Sequence, residues 1–280
     1  MIREIVGARI VEHREVARAT RWLVVELDAP EVEEPEAAEP FAADEAPTEA
    51  PEAPLTFAPG HVVALYAPDP EGKWIRHPYT VSWSEGRRLA ILYRVIRGGR
   101  TTPFMSLMGE GETLRLGGRF GFPISALVPD DATAVVCVST GSGVGPLHGY
   151  AAEALAAGLD RPITLLAGFR EAADVAQGPA LDALAARHSR FSWHPTLTRP
   201  GPGWDGWVGR VSAHVGAVAS AGAHWHLVGN GAMVTDVRAG LLGAGVPLER
   251  ITTETYHNRG TSPDPAAVAR IVAELGRDTA

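Results

Sequence analysis

Three groups of residues have the types and spacing to do chemistry. The first is Thr140-Gly141-Ser142-Gly143-Val144-Gly145-Pro146, which follows the apolar run AVVCVS and opens a helical stretch. Glycines let backbone N–H groups approach an anion, and the positive end of the helix dipole adds to the attraction, so a pyrophosphate is the natural occupant. Tight strand-to-helix turns also use glycine for steric reasons alone. The spacing departs from Gly-x-Gly-x-x-Gly, and no Walker lysine follows, which counts against an ATPase.

The second group, Arg76-His77-Pro78-Tyr79-Thr80, puts a cation, an aromatic ring and a hydroxyl within five residues at the entry to a strand. Along an extended chain Tyr79 and Thr80 point to opposite faces, while Arg76 reaches outward from the preceding loop. A flavin dinucleotide requires a ring to stack on and a charge for its diphosphate. A strand start with one buried tyrosine and a surface arginine would use the same residues. The third group is Thr198-Arg199 with Arg210 eleven residues later. Two guanidiniums and a hydroxyl suit a phosphate monoester such as the 2′-phosphate of NADP. A site for NAD would more naturally offer an acid to the ribose. Two loop arginines in solvent are the plain alternative.

The elements that must position these residues change character near Pro129. Before it come short strand-like runs with Gly/Pro punctuation (EIVGARIVEHREV, RWLVVEL, HVVALYA, YTVSW, RLAILYRVI, ETLRLGG) and one short helix near Thr102 to Met108. That spacing predicts a small antiparallel β-barrel or sandwich over 1–128. After it, apolar strands alternate with Ala-rich helical stretches, which predicts a doubly wound α/β domain with a parallel sheet over 129–258. Residues 259–280 read as an added C-terminal helix.

Composition narrows the classes further. The chain has 280 residues, 45% of them hydrophobic, and one cysteine, Cys137. A disulfide framework, a thiolate zinc site and a four-thiolate iron–sulfur cluster within this chain are excluded. Net charge is −8, but ten acids lie between Asp28 and Phe57 with no Lys or Arg, leaving +2 on the rest. That stretch, rich in Ala, Pro and Glu, predicts a disordered insertion over 28–57. No apolar run is long enough to span a membrane, and charges stand where a signal peptide needs apolar residues, so a cytoplasmic protein is expected. His224 and His226 have the spacing of metal ligands but lack a third partner, so no metal is expected and a polar strand end is the default. Trp204 and Trp207 read as loop aromatics, with packing as the default. Cys137 reads as an inert small hydrophobe.

With these residues in hand, the chain resembles the ferredoxin-NADP(H) reductase family of FAD flavoproteins. The family's Arg-x-Tyr-Ser/Thr flavin motif is similar to Arg76, Tyr79 and Thr80, and its Gly-rich loop before a short helix resembles Gly98-Gly99-Arg100-Thr101-Thr102. Its Gly-Thr-Gly-x-x-Pro motif is similar to Thr140 to Pro146. Its Cys-Gly-Asn-x-x-Met stretch resembles Val228-Gly229-Asn230-Gly231-Ala232-Met233, and its Glu-x-Tyr ending resembles Glu254-Thr255-Tyr256. The five matches run in the family's order over nearly the whole chain.

The resemblance implies FAD and NADP(H) as cofactors, hydride transfer between them, and single electrons passed to or from a separate ferredoxin or flavodoxin. It implies that Tyr79 and Tyr256 stack on the two flavin faces, that Thr80 hydrogen-bonds near flavin N5 and that Glu254 relays a proton. Tyr93 and the Gly98–Thr102 loop join the flavin set; Thr140, Gly141, Ser142, Gly143, Gly145, Pro146, Arg170, Thr198, Arg199, Arg210, Gly229, Asn230 and Met233 form the coenzyme set. Departures are Val228 in place of cysteine, and 24 residues after Tyr256, a tail that either locks that ring or covers the flavin. A monomer or weak oligomer without nucleic-acid partners is expected. The rivals are a flavin or quinone reductase of the same fold, an electron-transfer subunit, and a non-catalytic flavin- or nucleotide-binding sensor.

Overall fold

The computed structural model describes residues 5–29, 56–258 and 260–276. Most of the acidic stretch, residues 30–55, lies outside the described residues, as do Arg259 and the last four residues.

The first half closes on itself. Strands β1 (Ile5–Ala17), β2 (Thr20–Leu27), β3 (Val62–Pro68), β4 (Trp74–Glu85), β5 (Arg88–Arg94) and β6 (Thr113–Phe120) form a closed barrel in the order β1-β2-β5-β4-β3-β6. Every pairing is antiparallel. Alternation fills its interior with Leu89, Ile91 and Tyr93 from β5, Leu114 and Leu116 from β6, and Val81 from β4. Short helix α1 (Thr102–Met105) follows β5 and drops Met105 into that core, and α2 (Ile124–Leu127) leads out of the barrel.

From Val135 the chain winds a six-stranded parallel sheet. Its strands are β7 (Val135–Thr140), β8 (Ile163–Phe169), β9 (Phe191–Leu197), β10 (Trp207–Val208), β11 (His224–Asn230) and β12 (Ile251–His257), in the order β10-β9-β8-β7-β11-β12. Central β7 is buried from Val135 to Ser139 because helices cover both faces, which is why it reads as an unbroken apolar run. Helices α3 (Val144–Ala156) and α4 (Gly178–Arg187) pack on one face, α5 (Gly231–Gly243) on the other. The strand order reverses between β7 and β11, and open α/β sheets bind ligands beside the carboxyl ends of the strands at such a point. No helix among the described residues is long and apolar enough to cross a membrane.

The last helix, α6 (Pro265–Leu275), packs on α5. Ile271 is fully buried in the α5 face of the sheet, where a side chain on Gly240 would collide with it. Tyr256 packs on the opposite face of the sheet, so α6 does not lock that ring.

Barrel and sheet dock at several places. Helix α3 lies against β4 so closely that a Cβ on Gly149 would overlap the Ser82 carbonyl and one on Gly145 would reach Ser82 Oγ. Beside it, Arg18 in the β1–β2 turn donates two hydrogen bonds to Asp174, at 2.9 and 2.7 Å, and one to Glu171 at 2.8 Å. Burial alone would raise the Asp174 pKa, but Arg18 and the Glu171 backbone N–H hold it below the ordinary value.

Candidate active site

Strand β4 begins at Trp74, so the segment Arg76 to Thr80 lies inside the strand rather than at its entry. Alternation sends His77, Tyr79 and Val81 to the inner side, and Arg76, Pro78, Thr80 and Ser82 to the outer side. Arg76 therefore stands on the face opposite Tyr79, its guanidinium 5.8 Å from the centre of the Phe120 ring. The expected loop-borne reach of Arg76 does not occur. His77 shares the Tyr79 face instead, and its Nε2 is hydrogen-bonded to Thr101 Oγ1 at 2.8 Å. Sequence reasoning passed over His77, although its two-residue separation from Tyr79 is what a strand requires for one face.

Around these residues the Gly98–Thr102 loop connects β5 to α1. Gly98 has φ +75° and open space where a side chain would project. Thr101 is buried and tied to His77, and Thr102 Oγ1 accepts the Ile96 N–H at 2.9 Å. Arg100 turns away, pairing with Asp69 at 3.1 Å in the β3–β4 turn. Tyr93 is also placed differently from expectation. It is 2% exposed within the barrel core, its hydroxyl hydrogen-bonded to His13 at 2.9 Å, and it meets the Tyr79 ring edge-on at 6.2 Å. It buttresses Tyr79 rather than lining the surface.

On the outer side Thr80 Oγ1 donates to Glu254 Oε1 at 2.5 Å. Glu254 and Tyr256 lie on β12, two residues apart and on one face. Burial, with the Glu254 charge beside it, pushes the Tyr256 phenol well above its ordinary pKa, against the smaller opposing effect of a hydrogen bond with Thr80. A hydroxyl from the barrel and a carboxylate and a phenol from the sheet thus come to one place, while Tyr79 stands on the other face of β4.

The Gly-rich turn forms as its spacing predicts. β7 ends at Thr140, a 3-10 turn covers Gly141–Gly143, and α3 starts at Val144. Gly141, at φ +57°, has open space beside it, and Ser142 is partly exposed. Gly143, Gly145 and Pro146 are buried: Gly143 passes the Val228 carbonyl, and Gly145 packs on the barrel. At the end of β11, Gly229 crosses close to Thr140, whose Oγ1 accepts the Asn230 N–H at 2.9 Å. Asn230 then caps α5 through the Ala232 N–H. Met233, however, is 7% exposed in the core under α5 and does not reach this surface.

Arg170 follows β8, Thr198 and Arg199 follow β9, and Arg210 follows β10. These three strands are neighbours, so the cations gather at one carboxyl edge of the sheet. The backbone links them: the Arg199 N–H donates to the Arg170 carbonyl at 2.8 Å and Gly209 N–H to the Leu197 carbonyl at 2.8 Å. All three arginines are exposed. Trp204 folds over Gly206 and donates to the Trp207 carbonyl at 3.1 Å, while Trp207 stacks between His194 and His214.

His224 and His226 are not a polar strand end. They are 0% and 3% exposed, and burial lowers their pKa values to about 4 and about 3. No metal-binding cluster occurs among the described residues. Cys137, 1% exposed, has its thiol pushed up to about 12 by burial.

An antiparallel barrel docked on a parallel nucleotide-type sheet, with hydroxyl and carboxylate at the junction, defines a two-domain oxidoreductase. The family described as "Oxidoreductase NAD-binding domain" matches residues 137–239. Ferredoxin–NADP reductase B of Sorangium cellulosum is 31% identical over 211 residues, which cover 71% of this chain and 85% of that protein. The chain belongs to the ferredoxin–NADP reductase family. The naphthalene 1,2-dioxygenase system ferredoxin–NAD(P)(+) reductase component of Pseudomonas putida is 27% identical, over 75% of this chain and 59% of that longer protein. Among solved structures, a ferredoxin NADP+ reductase from Neisseria gonorrhoeae with bound FAD and NADP shares the fold, with TM-score 0.67, 18% identity, and coverage of 90% of this chain and 98% of that one.

Proposed function

We infer that the protein binds FAD on the barrel and NADP(H) on the sheet, moves a hydride between them, and exchanges single electrons with a ferredoxin or flavodoxin. The observation that carries this reading is the Thr80–Glu254 hydrogen bond between the domains, with Tyr256 beside it. The chain fits both groups. Gly98 and Gly141 each leave room at a turn where a phosphate would lie, and the three exposed arginines at the sheet edge offer a 2′-phosphate its charge.

When bound, the flavin supplies the two-electron to one-electron conversion that no side chain of this protein can perform. Tyr79 and Tyr256 hold its ring, and Thr80 orients its edge through a hydroxyl already fixed by Glu254. His77, with Thr101, takes the diphosphate post that sequence reading gave to Arg76. Thr140, Gly141 and Ser142 hold the coenzyme diphosphate, and Arg199 and Arg210 discriminate NADPH from NADH, with Arg170 beside them. Holding the two reacting rings in register is the main catalytic contribution.

A second reading, reductase component of an oxygenase system, is favoured by the name of the Pseudomonas putida relative. The same electron path applies, with the oxygenase's own carrier as acceptor. The test is NADPH oxidation by the flavin-loaded protein with a ferredoxin, a flavodoxin, free flavin or a quinone as acceptor. Preference for the protein carriers supports the reading; turnover with free flavin or quinone alone supports a diffusible-acceptor reductase instead.

A further inference from the structure

Four buried side-chain atoms among the described residues have no hydrogen-bond partner: Ser82 Oγ, Ser139 Oγ, His224 Nδ1 and His226 Nε2. Their residues are 1%, 0%, 0% and 3% exposed. Buried polar atoms are nearly always satisfied, and a set of orphans in one region marks places for internal water. Strand register puts three of them on one face of the sheet. His224, His226 and Val228 of β11 share the face of Val135, Cys137 and Ser139 of β7, and of Thr252 and Glu254 of β12. Ser82 lies opposite, on β4, two residues from Thr80.

The histidines are already linked. His224 Nε2 and His226 Nδ1 are each hydrogen-bonded to Thr252 Oγ1, at 2.9 and 2.7 Å. The free nitrogen of His226 stands two residues below the level of Glu254, about 7 Å along the strands, a span that one or two waters bridge. Ser139 is level with Val228, and Val228 with Glu254, so its unpartnered hydroxyl lies on the same face at that level, with the Val228 side chain between it and Glu254. His224 starts β11 at the base of the sheet, near Arg250, which pairs with the exposed Asp131 at 2.6 Å. Tyr150 of α3 and Cys137 also face the column; burial holds both phenol and thiol protonated, so neither competes as a base. Neutral imidazoles, each donor and acceptor at once, are the side chains suited to pass a proton in either direction.

We propose that His224, Thr252 and His226, with internal water at the unpartnered His226 nitrogen, form a proton path about 13 Å long between the base of the sheet and the Glu254–Thr80 pair. It rests on Glu254 standing at the reacting centre, as inferred above. The stoichiometry demands an exit. With a one-electron acceptor A, NADPH + 2 A(ox) → NADP⁺ + 2 A(red) + H⁺, so one proton must leave the junction for every two electrons. Thr252 and the histidines touch no reacting atom; they position and pass the proton that Glu254 receives.

The test mixes flavin-loaded, NADPH-reduced protein with ferricyanide in weak buffer and follows flavin reoxidation and indicator-detected proton release together. In Thr252→Val, which keeps the side-chain shape, proton release is expected to fall about a hundredfold behind reoxidation, with flavin affinity unchanged and the melting temperature lowered by the imidazole nitrogens left without a partner. Thr252→Ser restores it. Release in step with reoxidation in both Thr252→Val and His226→Leu overturns the path. A protein that binds no flavin, or is not reduced by NADPH, overturns the functional reading instead. A second readout is independent of activity: nuclear Overhauser contacts between internal water and the His226 ring support the path, and a dry ring overturns it.

Discussion

Thr80 Oγ1 donates a 2.5 Å hydrogen bond to Glu254 Oε1, joining the barrel to the edge strand of the parallel sheet across 174 positions of sequence. The bond exists only when the two halves dock, so it reports domain geometry and fixes the Thr80 hydroxyl. Thr80→Val and Glu254→Gln should each slow flavin reduction by NADPH about 10- to 100-fold, while flavin affinity changes little. Stopped-flow absorbance and flavin fluorescence titration separate the two effects.

Coenzyme choice is a separate matter of charge at the sheet edge. Arg199→Ala with Arg210→Ala should raise KM for NADPH about 100-fold and leave that for NADH nearly unchanged, because each bidentate pair to a phosphate contributes about 1.5 to 3 kcal/mol. A preference that survives both changes removes the arginines from that role.

Docking depends on the close approach of α3 to β4. Gly149→Ala places a methyl group into the Ser82 carbonyl. The expected cost is about 3 kcal/mol of stability, with the barrel and sheet separating before either unfolds. Differential scanning calorimetry should show one transition becoming two.

The buried histidines make stability depend on pH. Their folded values, about 4 for His224 and about 3 for His226, lie below the ordinary 6.5. Below pH 6.5 the unfolded chain takes up protons that the folded protein refuses, so stability present at neutral pH is lost as pH falls toward 4. At pH 5 the loss is about 2 kcal/mol for each histidine. Urea unfolding at pH 7 and pH 5 measures it, and replacing both histidines by glutamine should flatten the difference.

Much of this was legible in the sequence, for physical reasons that differ between elements. The switch from period-two strands to apolar strands alternating with helices exposed both domains, and β7 was readable because a strand buried on both faces must be apolar throughout. The turn from Thr140 to Gly143 was readable because few other residues tolerate its backbone. Arg76 was misplaced because strand β4 starts earlier than its turn signals suggest, and one residue of phase moves a side chain to the other face. That same phase hid His77. Gly145 and Met233 serve packing, since glycine and methionine fill close contacts and gaps as readily as they border ligands. His224 and His226 read as polar, and only the register with Thr252 shows what satisfies one nitrogen of each.

The most direct measurement is anaerobic mixing of flavin-loaded protein with one equivalent of NADPH while the flavin absorption is followed. The docked geometry predicts that the protein binds FAD and that its yellow colour bleaches within one turnover, faster with NADPH than with NADH. A protein that stays colourless after incubation with FAD, or stays yellow in the presence of NADPH, contradicts the account.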